Sequence, residues 1–147
     1  MIKETNQTII KDLGIKVRAI MGVPEVLLPD EVIASPIFIN KSEKYVENYL
    51  KEYKDSKFDD NTLTIAQIYY ICYLLCPGMY SRLPKQMENT STKTILQSMD
   101  WLALASDMLE KCNDILEDLI EEIDDTANFG ASFAVLTDAS EYPNTTI

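Results

Sequence analysis

The sequence predicts an all-α fold, a helical bundle around a buried central helix at about 62–76, with a long C-terminal helix at about 95–125 and an extended C-terminal tail. Three observations predict it. Residues 65–76 carry almost no polar side chain, which suits a helix covered on every side. Trp101, Ala105, Met108, Cys112, Ile115 and Leu119 recur at four-three spacing, beside a second row of Leu102, Leu109, Leu116 and Ile123. Helix punctuation also recurs along the chain, with Gly22 and Pro77-Gly78 as stops and Ser35-Pro36 as a start.

Taken in order, Thr8 is the expected cap of a first helix whose inward residues are Ile9, Ile10, Leu13, Val17, Ile20 and Met21. Gly14 lies inside it and costs that helix up to about 1 kcal/mol. Val23 to Pro29 reads as a loop, and Pro29-Asp30-Glu31 as a short turn through Ile33. The helix opened by Ser35-Pro36 runs to about Tyr53, with Phe38, Tyr45, Val46, Tyr49, Leu50 and Tyr53 as its apolar side. The length of the 62–76 segment favours a helix over a buried strand. Residues 84–94 are polar and unpatterned, as in a loop. Trp101, Ile68, Ile71 and Cys72 are the expected core.

Organisation follows from length. A chain of 147 residues suits a helical domain at 1–125 and a docking tail at 126–147, and a domain of this size buries about 68–70% of its unfolded surface. The tail is nearly uncharged, and Phe133 to Thr137 have strand propensity. Phe129, Phe133, Val135 and Leu136 are too few to form a core of their own, so they are expected to lie on their own domain or on a neighbouring chain, and gain most by adding an extended strand to another chain. The start, Met-Ile-Lys-Glu-Thr-Asn-Gln, does not read as a signal peptide. No membrane span is expected either. Cys72, Cys76 and Cys112 fall in apolar helical patterns and read as reduced core residues.

The charge is local. Residues 100–125 hold six Asp and four Glu against Lys111, which makes nine of the eleven net negative charges. Residues 1–99 balance twelve acids with twelve Lys and Arg. On the helix, Asp107, Asp114 and Glu121 form one row, with Glu110, Glu117 and Asp124 beside it. A solvated face opposite a core stripe is the plain reading. Yet like charges at helical spacing repel by a few tenths of a kcal/mol per pair, and acids in a last turn oppose the helix dipole. Such a face suits a basic partner, or a channel through which a polyanion slides without sticking.

Catalytic chemistry is not indicated. There is no His, which removes the commonest general base and most zinc sites. The four Gly form no phosphate-binding loop. Asp59-Asp60-Asn61 with Glu52 lacks the spacing and the Gly of a calcium loop. No cofactor or metal is expected. No basic stripe of the kind that grips nucleic acid is evident.

Several segments together resemble a known family. Val17-Arg18-Ala19-Ile20-Met21-Gly22 is followed by Leu28-Pro29-Asp30-Glu31-Val32-Ile33-Ala34-Ser35-Pro36. Ile68 to Pro77 is an apolar helix ending at Cys-Pro, and Asp100-Trp101-Leu102-Ala103-Leu104-Ala105 opens the last long helix. In this order and spacing they resemble tailed-bacteriophage head–tail connector (adaptor) proteins, over about residues 10–125. The resemblance implies a structural virion protein at the head–tail interface, assembled in the host cytoplasm. It would form a ring, twelvefold by expectation, under the portal protein. That ring would extend the DNA channel and offer a platform to the next neck or tail-completion protein. Duplex DNA would pass without specific binding, Asp107, Asp114, Glu117 and Glu121 lining the channel or meeting a basic partner. The tail, through Phe129, Phe133, Val135 and Leu136, would dock on the portal. The alternative is a small acidic phage-encoded effector that mimics DNA and occupies a basic groove of a host protein.

Overall fold

The computed structural model describes residues 1–86, 96 and 98–141, with side chains described at 1–82, 96 and 98–126. Among these the chain is all helix and turn, with no strand. Helix α1 spans Gln7–Met21, α2 Asp30–Ile33, α3 Pro36–Tyr49, α4 Asp60–Leu75, α5 Met79–Gln86 and α6 Trp101–Glu141. Single 3-10 turns at Lys51–Tyr53 and Cys76–Gly78 extend α3 and join α4 to α5.

Local chemistry accounts for most boundaries. Asn6 caps α1, not Thr8, and its Oδ1 accepts from the Ile9 N–H at 2.9 Å. Gly22 ends α1 at φ 68°, ψ 36°, a left-handed conformation that glycine adopts without strain. Pro36 stands at the first position of α3, although the Ser35 side chain makes no capping bond. Asp59 caps α4 by accepting from both the Thr62 N–H and its hydroxyl. Asp100 caps α6 by accepting from the Ala103 N–H at 3.0 Å.

Two expected stops are overrun. Pro77-Gly78 was expected to end the central helix, but the chain takes one 3-10 turn and enters α5 at once. Pro is tolerated at the start of a new helical segment, where its missing N–H is not needed, and Gly78 does not adopt a positive φ. The reading of 84–94 as a loop gives way at 84–86, which are helical; residues 87–94 lie outside the described residues. The last helix starts at Trp101, not at about 95, and its backbone stays helical past Asp125 to Glu141. An extended tail from 126 is therefore corrected. Adding a residue to an existing helix needs no new nucleus, and Ala127, Ala131 and Ala134 favour it over the weaker strand preference of Phe133 to Thr137. Phe129, Phe133, Val135 and Leu136 have helical backbone, and their side chains lie outside the described residues.

The core has two connected layers. Trp101, Ile71 and Cys72 are fully buried and Ile68 nearly so. They share a cluster with Leu13, Val17, Leu27, Leu28 and Met79. The second layer joins Val46, Leu50 and Ala66 to Cys112, Leu116 and Leu119. Both place α4 at the centre, with α1, α3 and α6 packed on it. Cover is not complete, because Ile65 is 48% exposed and Tyr69, Tyr70 and Tyr73 are half-buried. By length and composition alone, Asp60–Arg82 could cross a membrane, against the expectation of no such segment. In this fold it is the bundle's central helix.

Inside the apolar α4, Gln67 is fully buried. Its Oε1 accepts from the Ile2 N–H at 2.7 Å, while Nε2 donates to the Ile2 carbonyl at 2.8 Å and to Ser42 Oγ at 3.1 Å. Ser42 in turn donates to the Ile39 carbonyl at 2.8 Å. The amide thus pins the N-terminal segment to α4 and α3, and its polar atoms are repaid in full. The Met1 amino group completes the clamp on Asp60.

All three thiols are buried. Burial raises each pKa: Cys76 to about 11, Cys112 to about 12 and Cys72 further still. The thiolate is the reactive form. Native protein should therefore show no fast-reacting thiol with a disulfide reagent at neutral pH, and all three should titrate in denaturant. Rapid labelling of the folded chain would contradict the packing of Cys72 and Cys112.

Candidate interaction surface

The functional candidates sit on α6, and the register of α3 against it sets their surroundings. Tyr45, Tyr49 and Tyr53, read from sequence as apolar, turn their hydroxyls onto α6. Tyr45 donates to Asn113, Tyr49 to Glu117 at 3.1 Å and Tyr53 to Asp124 at 3.3 Å. Both sets of positions ascend together, so α3 and α6 run parallel. Tyr45 also stacks on Tyr70 of α4, centroids 4.1 Å apart, and Tyr70 leans on Tyr73. Desolvation first, and then the bond to Glu117, pushes Tyr49 up to about 12. It remains a neutral donor throughout the physiological range.

This ladder divides the acidic face. Asp107, Asp114 and Glu121 are exposed, as are Glu110, Asp118 and Asp125. Glu117 is exposed too, but it accepts from Tyr49, and Asp124 from Tyr53. Among the described residues none of these eight carboxylates meets a Lys or Arg. The ion pairs use other acids, with Lys3 between Glu43 and Glu47, Lys16 on Asp12 and Arg18 on Asp30. Lys111, the one base on this stretch, lies over the Tyr69 ring at 5.9 Å.

The two opening segments of the chain meet in a lock. Arg18 Nη1 donates to Asp30 Oδ1 at 2.6 Å and to the Leu28 carbonyl at 3.1 Å. The side chains are only 12% and 23% exposed. Gly14 lies directly beneath: a Cβ there would stand 1.9 Å from Asp30 Oδ1. The glycine inside α1 is thus a site of close approach, which α1's own pattern could not reveal.

No group of three or more His, Cys, Asp or Glu could hold a metal among the described residues. The grooves are open surface depressions, one at the start of α4 between Phe58, Leu119 and Ile123 and another beside Lys3, Leu50 and Lys54. The arrangement is one of surfaces: a carboxylate ridge, a tyrosine ladder and a rigid N-terminal lock. Compared with known proteins, the chain matches no family model, no curated protein and no solved structure.

Proposed function

We propose that this chain is a structural virion subunit, a head–tail adaptor that rings the portal, extends the DNA channel and presents a platform to the next neck protein. The observation that carries this reading is the lock between α1 and the Leu-Pro-Asp segment. The two segments that open the resemblance are bound together by Arg18, Asp30 and Gly14, which supports reading them as one structural unit. The opening of α6 is a second such unit. Asp100 caps it, and Trp101, fully buried, donates its backbone N–H to the Tyr80 hydroxyl oxygen at 3.1 Å.

A ridge of carboxylates that meets no Lys or Arg among the described residues suits either a wall past which DNA slides or a basic surface on a neighbouring subunit. Neutralising phosphates with Lys or Arg would release counterions and make DNA stick. Docking on the portal is assigned to residues 126–147. Positions 129, 133 and 136 are four and three residues apart, the spacing of anchors on a helix that enters an apolar groove.

The test is co-purification with the portal protein of the same virion, using the full chain and a chain truncated after Asp125. The full chain should join the portal as a ring of defined mass. The truncated chain should keep its helical content and be lost from the complex. A full chain that stays apart from the portal overturns the adaptor reading. A truncated chain that joins it undiminished moves the docking surface to the helical body.

A further inference from the structure

The solvent side of α3 and of the 3-10 turn that extends it carries a row of lysines, flanked by the exposed Glu47 and Glu52. Lys41, Lys44 and Lys51 are exposed and, among the described residues, meet no carboxylate. Their spacing is three and then seven residues. The outward carboxylates of α6, at 107, 110, 114, 117, 121 and 124, are spaced three, four, three, four and three. Two α-helices share the same rise of about 1.5 Å per residue. Laid parallel, Lys41, Lys44 and Lys51 therefore come level with Asp107, Glu110 and Glu117, while Asn48 meets Asp114. A shift of one heptad also matches charges, but it sets the exposed Ile37 against Glu110. In the first register Ile37, 61% exposed, comes level with Ala103 and beside Leu102, 60% exposed.

We infer that the lysine ridge of α3 in one copy of this chain docks on the carboxylate ridge of α6 in the next. The parallel alignment is that of a ring whose axis runs along these helices. Within one chain the tyrosine ladder already holds α3 parallel to α6. Any rotation axis along these helices keeps a second copy's α3 parallel to α6 as well. Helix α6 is then held by its own α3 through tyrosines and by the neighbour's α3 through lysines. Carboxylates three and four residues apart repel on the isolated chain, and the neighbour's lysines relieve that repulsion. A head-to-tail contact of this kind generates a ring when its rotation closes. The inference rests on the adaptor reading only for that closure; the contact itself is a property of the chain alone.

The test uses the purified full chain, with light scattering and sedimentation at low and high salt. Wild type should self-associate at low salt and dissociate as salt screens the ridges. The variant Lys41→Glu/Lys44→Glu/Lys51→Glu should associate at least about tenfold more weakly. So should Asp107→Lys/Glu110→Lys/Asp114→Lys, which leaves the tyrosine-bound Glu117 in place. Each should keep wild-type helical content. An equimolar mixture of the two variants should recover the wild-type assembly, because each then meets an opposite ridge. Wild type that stays monomeric at low salt, variants that assemble as wild type does, or a mixture that fails to recover would each overturn the contact. Since no portal is present, these outcomes are separate from those that decide the adaptor reading.

Discussion

Trp101→Ala should lower the unfolding free energy by about 3–5 kcal/mol, the cost of truncating a large buried aromatic. For a domain of this size that displaces the thermal midpoint by on the order of 10 °C. The indole is fully buried at the first turn of α6, in the cluster that contains Ile68, Ile71 and Cys72 of the central helix. Its loss opens a void between the two helices that carry most of the packing, and neither can shift freely to fill it. Helix α4 is pinned by Gln67, and α6 is held by the tyrosine ladder. Trp101→Phe separates packing from polarity. Among the described residues the buried indole Nε1 has no hydrogen-bond partner, so phenylalanine removes a donor that none of them satisfies along with part of the ring. It should cost well under half of what alanine costs. Denaturant titration of the three proteins gives the comparison, and an alanine variant melting within a degree or two of wild type would place Trp101 outside the core.

The parts of this fold that could be read from sequence are those whose cause is local. Gly22 ends α1 and Pro36 starts α3 because backbone preferences at those residues act within one turn. The apolar stripe of α6 and the central place of α4 follow from periodicity alone. The features that sequence does not show depend on partners far along the chain. Gln67 stands in an apolar helix, and its partner is Ile2, 65 residues away. Tyr45 and Tyr49 read as apolar in sequence, because their hydroxyl partners lie 68 residues on, in α6. A signal was present in the shared four-residue steps 45–49 and 113–117, but spacing by itself does not say which helices meet. The same limit applies to the acidic face. Sequence placed Asp107, Asp114, Glu117 and Glu121 on one exposed side. Only the packing of α3 sets Glu117, held by Tyr49, apart from the other three.

Gly14→Ala should destabilise the protein by about 2 kcal/mol, opposite in sign to the usual result of that substitution in a helix. In an open helix interior alanine gains about 1 kcal/mol over glycine. Here the new methyl would stand 1.9 Å from Asp30 Oδ1 and 2.9 Å from its Cγ. Something must move, and the Asp30 carboxylate, the end of a side chain, is the nearest group to do so. Its displacement breaks the 2.6 Å bond from Arg18 and leaves the guanidinium, 12% exposed, with the Leu28 carbonyl alone. Hydrogen bonds to charged groups contribute about 1.5–3 kcal/mol, and an abandoned partly buried charge adds to the loss. The net effect is that loss less the gain in propensity. Asp30→Ala should cost a similar amount for the same reason. The double variant Gly14→Ala/Asp30→Ala should then be no worse than Asp30→Ala alone, because the methyl has nothing left to displace and its helix propensity is recovered. This non-additivity is the signature of two residues sharing one space. Denaturant midpoints of the two single variants and the double variant measure it. A Gly14→Ala protein more stable than wild type would mean that Asp30 does not lie over α1, and the lock joining the first helix to the Leu-Pro-Asp segment would have to be abandoned.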